Sequence, residues 1–135
     1  MKSKIIIVLA VFTTFFSCKN EVKEEVQPIV ENSITTEIQL IQFHTEHRCI
    51  TCNNIEKLSK ETIKGNEAIS FVLFNVDDEK NAKVAEQFEA TGPSLYLYNS
   101  KTKAIKDLTE MAFMYAKTEG DKFKTELQKE ISTFK

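Results

Sequence analysis

The chain has 135 residues, room for one domain with a modest core but not for two. With 18 Lys and Arg against 20 Asp and Glu the net charge is −2 at pH 7, and no basic stretch is present that would track a phosphate backbone. Nucleic acid is therefore not an expected partner.

In chain order, Met1 to Ser17 carry Lys2 and Lys4 and then a mostly apolar run from Ile5 to Phe16. That is the form of a secretory signal peptide. The run is shorter than the roughly 20 residues a helix needs to cross a bilayer. Cys18 directly follows Ser17 at the end of this run, and the junction resembles the lipobox of bacterial lipoproteins. The resemblance implies that Cys18 becomes the acylated first residue of an exported protein, held by lipid in the bacterial cell envelope and facing the periplasm. Loss of residues 1–17 removes two lysines and no acid, so the mature chain is more acidic still.

Residues 18–33 form the lipidated Cys and a tether. The segment KNEVKEEVQPIVENS is charged, poor in large apolar side chains and broken by Pro28. Fully extended it would reach about 50 Å. Residues 34–135 make the folded domain. Glu37 to Phe43 (EIQLIQF) reads as a strand, and Cys49 to Lys64 as a helix with Ile55, Leu58, Thr62 and Ile63 on one face before Gly65 stops it. Ile69 to Val76 is nearly all apolar, as in a strand covered on both faces. Asp77 and Asp78 introduce a helix through Ala90 that turns Val84, Ala85 and Phe88 to the core. Ser94 to Tyr98 and Ala104 to Leu108 are strands joined by the turn NSKTK. Thr109 caps a short helix whose Met111, Phe113, Met114 and Tyr115 read as core packing, and a last helix spaces Phe123, Leu127, Ile131 and Phe134 along one stripe. This order predicts an α/β fold, a mixed four-stranded sheet with helices on both faces.

The stretch FHTEHRCITCNNIEKL places a CxxC pair, Cys49 and Cys52, where a strand gives way to a helix. With Cys18 assigned to lipid these are the remaining cysteines, in a compartment where thiols oxidise unless kept reduced. Unpaired N–H groups and the dipole at a helix start favour a thiolate at the first Cys. Arg48, the only arginine, and the only two histidines, His44 and His47, lie within five residues of Cys49, so all three are candidates to tune its pKa. A structural disulfide is the weaker reading, because closing so short a loop restricts the unfolded chain little, about 2 kcal/mol.

Motif and element order together resemble the thioredoxin superfamily over residues 34–135. The resemblance implies thiol-disulfide exchange with Cys49 as the attacking thiolate and Cys52 as the resolving thiol. It implies too that Pro93, in Thr91-Gly92-Pro93-Ser94, has a cis peptide bond and that Gly92 and Pro93 contact an extended substrate segment. Thioredoxins carry a Trp where this chain has Arg48, a buried Asp at the place of Phe43 and a Lys at the place of Leu73; His44 or His47 would then be the candidate base. The strings FHTEHRCITC, DLTEMAFMYAK and DKFKTELQKEI are similar to a bacterial thioredoxin-like group labelled nitrophenyl compound nitroreductase subunit, though no flavin or dinucleotide motif is present. No organic cofactor is expected, since the pair itself carries two electrons. The expected partners are a protein thiol or disulfide and a membrane redox partner. The alternative is a binding subunit, or a protein holding zinc, Cu(I) or As(III) on His44, His47, Cys49 and Cys52.

Overall fold

The computed structural model describes residues 36–134. Strand β1 (Ile38–His44) leads into helix α1 (Ile50–Ile63), strand β2 (Ile69–Asn75), a single 3-10 turn (Glu79–Asn81) and helix α2 (Ala82–Gln87). Strands β3 (Ser94–Asn99) and β4 (Ile105–Asp107) follow, then helices α3 (Thr109–Tyr115) and α4 (Gly120–Thr133). The four strands form one mixed sheet in the order β2-β1-β3-β4. β1 runs parallel to β2, from Ile38 opposite Ile69 to His44 opposite Asn75, and antiparallel to β3, from Ile38 opposite Asn99 to Phe43 opposite Ser94.

Alternation along the two central strands divides the interior into two cores. Leu40, Leu95 and Leu97 join Ile55, Leu108, Phe123 and Leu127 under α1, α3 and α4. Ile41, Phe43, Tyr96 and Tyr98 join Val84, Ala85 and Phe88 under α2. The second core is aromatic, with the Phe43 ring 5.5 Å from Phe74, 5.6 Å from Phe88 and 5.9 Å from Tyr96. Helices thus cover both faces of the sheet, the α/β architecture expected of the sequence.

Three local expectations are corrected. The helix read between Asp77 and Ala90 is broken: Asp78 caps the 3-10 turn, and α2 keeps only six residues. Its end is a Schellman turn, with Ala90 N–H on the Ala85 carbonyl (2.8 Å), Glu89 N–H on Glu86 (3.0 Å) and Glu89 at φ 53° where Gly is usual. On α1 the expected Ile55, Leu58 and Ile63 do pack against the first core, and Cys52 and Ser59 are buried beside Ile55. Thr109 does not cap α3. Leu108 holds the N-cap position without a side-chain bond, while Thr109 Oγ1 accepts the Leu95 N–H at 3.1 Å and so ties α3 to β3. Met111, Phe113 and Tyr115 pack against the first core as expected, but Met114 is 53% exposed.

Candidate dithiol site

β1 ends at His44 on the rim of the sheet, and the chain must reach the start of α1 within five residues. That loop is fastened at several points. Val76 N–H donates to the His44 carbonyl (2.8 Å), and Asp77 Oδ2 accepts the Glu46 N–H (2.8 Å), so the end of β2 holds both. Sequence reading took Asp77 for a helix starter; its carboxylate instead anchors the loop that precedes the cysteines.

Cys49 is the N-cap residue of α1, in extended conformation at φ −79° and ψ 166°. Its sulfur does what a Ser or Asp oxygen does at that position and accepts the Cys52 N–H, at 3.4 Å. The two sulfurs lie 3.3 Å apart, both as free thiols, with Cys49 exposed and Cys52 buried. The Cys49 thiol is pulled below its ordinary value by the Cys52 N–H and then the Cys52 thiol, with the Thr51 amide and hydroxyl adding to them. Once Cys49 is ionised, the Cys52 S–H is the donor between the sulfurs. Cys52 is pushed the opposite way, first by burial and then by the neighbouring Cys49. One sulfur is therefore exposed and ready to attack, and the other is held back one turn deeper.

Arg48 stands elsewhere than expected. Its Nη2 forms a 2.6 Å ion pair with Glu56 Oε2 and approaches the Cys52 carbonyl at 3.5 Å. Glu56 also accepts from Lys60, and the two cations lower its pKa, Lys60 first. The guanidinium is thus laid along the first turns of α1, where its charge lowers Cys52 and has no part in the shift of Cys49. Adjacency of positions 48 and 49 in sequence therefore does not decide which thiol the charge acts on, because a carboxylate nearly two turns into the helix holds the guanidinium.

Neither imidazole is bonded to a cysteine. His44 Nδ1 lies 2.8 Å from the Thr45 carbonyl, and His47 is exposed with its own carbonyl accepting from Thr45 Oγ1 at 3.2 Å. Among the described residues no three His, Cys, Asp or Glu side chains come together as a metal-holding group, so His44, His47, Cys49 and Cys52 are not assembled as a four-ligand set.

Gly92 and Pro93 precede Ser94, which pairs with Phe43 beside the end of β1. No peptide bond among the described residues is cis, so the expected cis bond at Pro93 is corrected to trans, the form favoured for X-Pro by about 0.5–1 kcal/mol. Ser94 Oγ donates to the Gly92 carbonyl at 3.1 Å, and a proline in trans is well tolerated just ahead of a strand. These residues line a cavity of about 240 Å³ together with Thr91, Tyr96, Asp107 and Thr109, and neither cysteine is part of its wall.

The residue that sequence reading missed is Gln42. Counting back from the cysteines places the acidic position of thioredoxins at Phe43, but Phe43 faces the α2 core. Gln42, on the opposite face and 1% exposed, donates through Nε2 to the Cys52 carbonyl at 2.9 Å. A polar residue inside the run IQLIQF was the available signal.

No family model matches the chain, and no curated protein matches it. Two solved structures are similar in part. One, described as "Structure of a malarial protein", is 21% identical over 58% of this chain and 94% of its own, with a TM-score of 0.42. The other, the zinc-bound form of human ERp44, is 12% identical, covers 73% of this chain and 30% of its own, and gives a TM-score of 0.41. Sheet order, helices on both faces and a CxxC dithiol capping the first helix define an α/β protein of thioredoxin-like architecture.

Proposed function

We propose that this protein is an exported thiol-disulfide oxidoreductase. The observation that carries the reading is the asymmetry of the pair, an exposed Cys49 sulfur capping α1 with a buried Cys52 sulfur 3.3 Å behind it. In the reducing direction the Cys49 thiolate attacks a substrate disulfide, forms a mixed disulfide and expels one substrate thiolate, which takes a proton from solvent. Cys52 then loses its proton and attacks Cys49 Sγ. The Cys49–Cys52 disulfide forms, the second substrate thiolate leaves, and two electrons have passed to the substrate. A membrane redox partner would restore the dithiol; in the oxidising direction the same steps run backward. Gly92 and Pro93, beside the end of β1, are the candidate contacts for a substrate strand. Export and a lipid anchor at Cys18 belong to the same proposal, supported by the sequence of residues 1–18. The sequence resemblance to a group labelled nitroreductase subunit, which no family model or curated match supports, adds no flavin or nitro chemistry to it.

The test is covalent trapping. Cys52→Ser removes the fast exit from the mixed disulfide, so acid-quenched cells of the native host should yield adducts on non-reducing gels that vanish on reduction. Cys49→Ser should yield far fewer. If neither variant traps a protein and the wild type binds one equivalent of zinc, Cu(I) or As(III) tightly, the protein is a metal or metalloid binder.

A further inference from the structure

β1 buries an amide where an apolar side chain would pack as well. Gln42 is 1% exposed, and its Oε1 is buried without a hydrogen-bond partner. An unpaired buried acceptor opposes folding, so the side chain is a burden on the core unless its one bond has a use. That bond runs from Nε2 to the Cys52 carbonyl, 2.9 Å away. Gln39, the other buried glutamine of β1, lies on the opposite face of the sheet from α1 and makes no such contact. The same Cys52 carbonyl is approached from the loop by Arg48 Nη2 at 3.5 Å, itself fixed by Glu56. The peptide that follows Cys52 is therefore gripped from the strand and from the loop.

We propose that Gln42 is a positioning residue for the resolving step, which keeps the Cys52 sulfur aligned beneath Cys49; the inference rests on the exchange reading above. Gln42 holds the peptide between Cys52 and Asn53. The N–H that lies on Cys49 Sγ belongs to the preceding peptide, between Thr51 and Cys52. Loosening the first should disturb attack by Cys52 more than attack by Cys49. In that step the Cys52 thiol gives its proton to solvent, its sulfur bonds to Cys49 Sγ, and the bond from Cys49 to the substrate sulfur breaks with its electron pair on the substrate, which is protonated by solvent. Intramolecular attack of this kind depends steeply on alignment, and a misplacement of about 1 Å can slow such a reaction about 100-fold.

The full chain bearing Cys18→Ser, so that no third thiol reports, is mixed with 5,5′-dithiobis(2-nitrobenzoic acid). This aromatic disulfide releases one coloured thiolate on attack by Cys49 and a second on resolution by Cys52. Gln42→Met should slow the second release about tenfold or more and leave the first within about twofold. Gln42→Glu should be slow at neutral pH, where an ionised carboxylate cannot donate to the Cys52 carbonyl. Its second release, taken as a ratio to the parent at each pH, should recover once the carboxyl is protonated, at a pH that burial at this site raises and the Arg48 guanidinium, itself paired with Glu56, lowers. A second release at the parental rate in Gln42→Met overturns the proposal. Equal slowing of both releases in both variants overturns it as well, marking general loosening of the fold. Release of only one thiolate by this parent and by the wild type alike overturns the exchange reading itself.

Discussion

At the scale of single residues, the division of labour between the cysteines follows from a helix end. Cys49 is an exposed cap acceptor, and Cys52 lies inside the first turn, so the same N–H and S–H groups that lower one thiol accompany burial that raises the other. Alkylation by iodoacetamide, followed at each cysteine by mass spectrometry, should reach half its maximal rate for Cys49 at a pH below the ordinary thiol value, because more thiolate is present there, and for Cys52 above it. Arg48→Ala should move the Cys52 curve upward and leave that of Cys49 nearly in place, since Glu56 holds the guanidinium beside the Cys52 carbonyl. A larger change at Cys49 would return Arg48 to the role its sequence position suggests. The pair itself was legible in the sequence because CxxC at a strand-helix junction is a local pattern. The roles of Arg48, Asp77 and Gln42 were not, since each depends on a partner brought by folding: Glu56 nearly two turns into α1, Glu46 across the sheet rim, and the Cys52 carbonyl above β1.

At the scale of elements, α1 serves both the site and the core, with Cys52, Ile55 and Ser59 on one buried stripe. The four strands and the mixed sheet were readable from short apolar runs set between helical ones; in the fold their alternating side chains enter two cores, Leu40, Leu95 and Leu97 on one side and Ile41, Phe43, Tyr96 and Tyr98 on the other. The break before α2 and the Schellman turn at Glu89 were not, since both are decided by packing and not by spacing. α4 supports α1 from outside the site. It begins at Gly120, where an added Cβ would come within 3.3 Å of Leu58 Cδ2, and it buries Phe123 and Leu127 completely. Phe123→Ala should remove about 3–5 kcal/mol of stability, the range for deleting a fully buried ring, seen as a lower urea midpoint. Below that midpoint the pH curve of Cys49 alkylation should stay where it is in the wild type, because Phe123 touches neither sulfur's hydrogen bonds. A loss below about 1 kcal/mol would mean that the two helices do not share one core.

At the scale of the whole molecule, the proposed anchor and the proposed exchange chemistry lie apart along the sequence. Cys18 and the charged segment after it lie outside the described residues, whereas both cores and the dithiol belong to residues 38–134. Among the described residues no helix is long and apolar enough to cross a membrane. An acyl chain contributes about 0.8 kcal/mol for each buried CH₂, which makes lipid on Cys18 sufficient to alter the partition of a small domain between membrane and water. Labelled fatty acid fed to the native host should enter the wild type and not Cys18→Ser, and the variant should leave the membrane fraction. Because the dithiol and the core residues around it belong to residues 38–134, purified Cys18→Ser should release two coloured thiolates from 5,5′-dithiobis(2-nitrobenzoic acid) at the rates of the wild type. Equal labelling of wild type and variant would remove the lipid anchor and leave the dithiol chemistry untouched, whereas loss of the second release in Cys18→Ser would mean that the N-terminal segment takes part in the site.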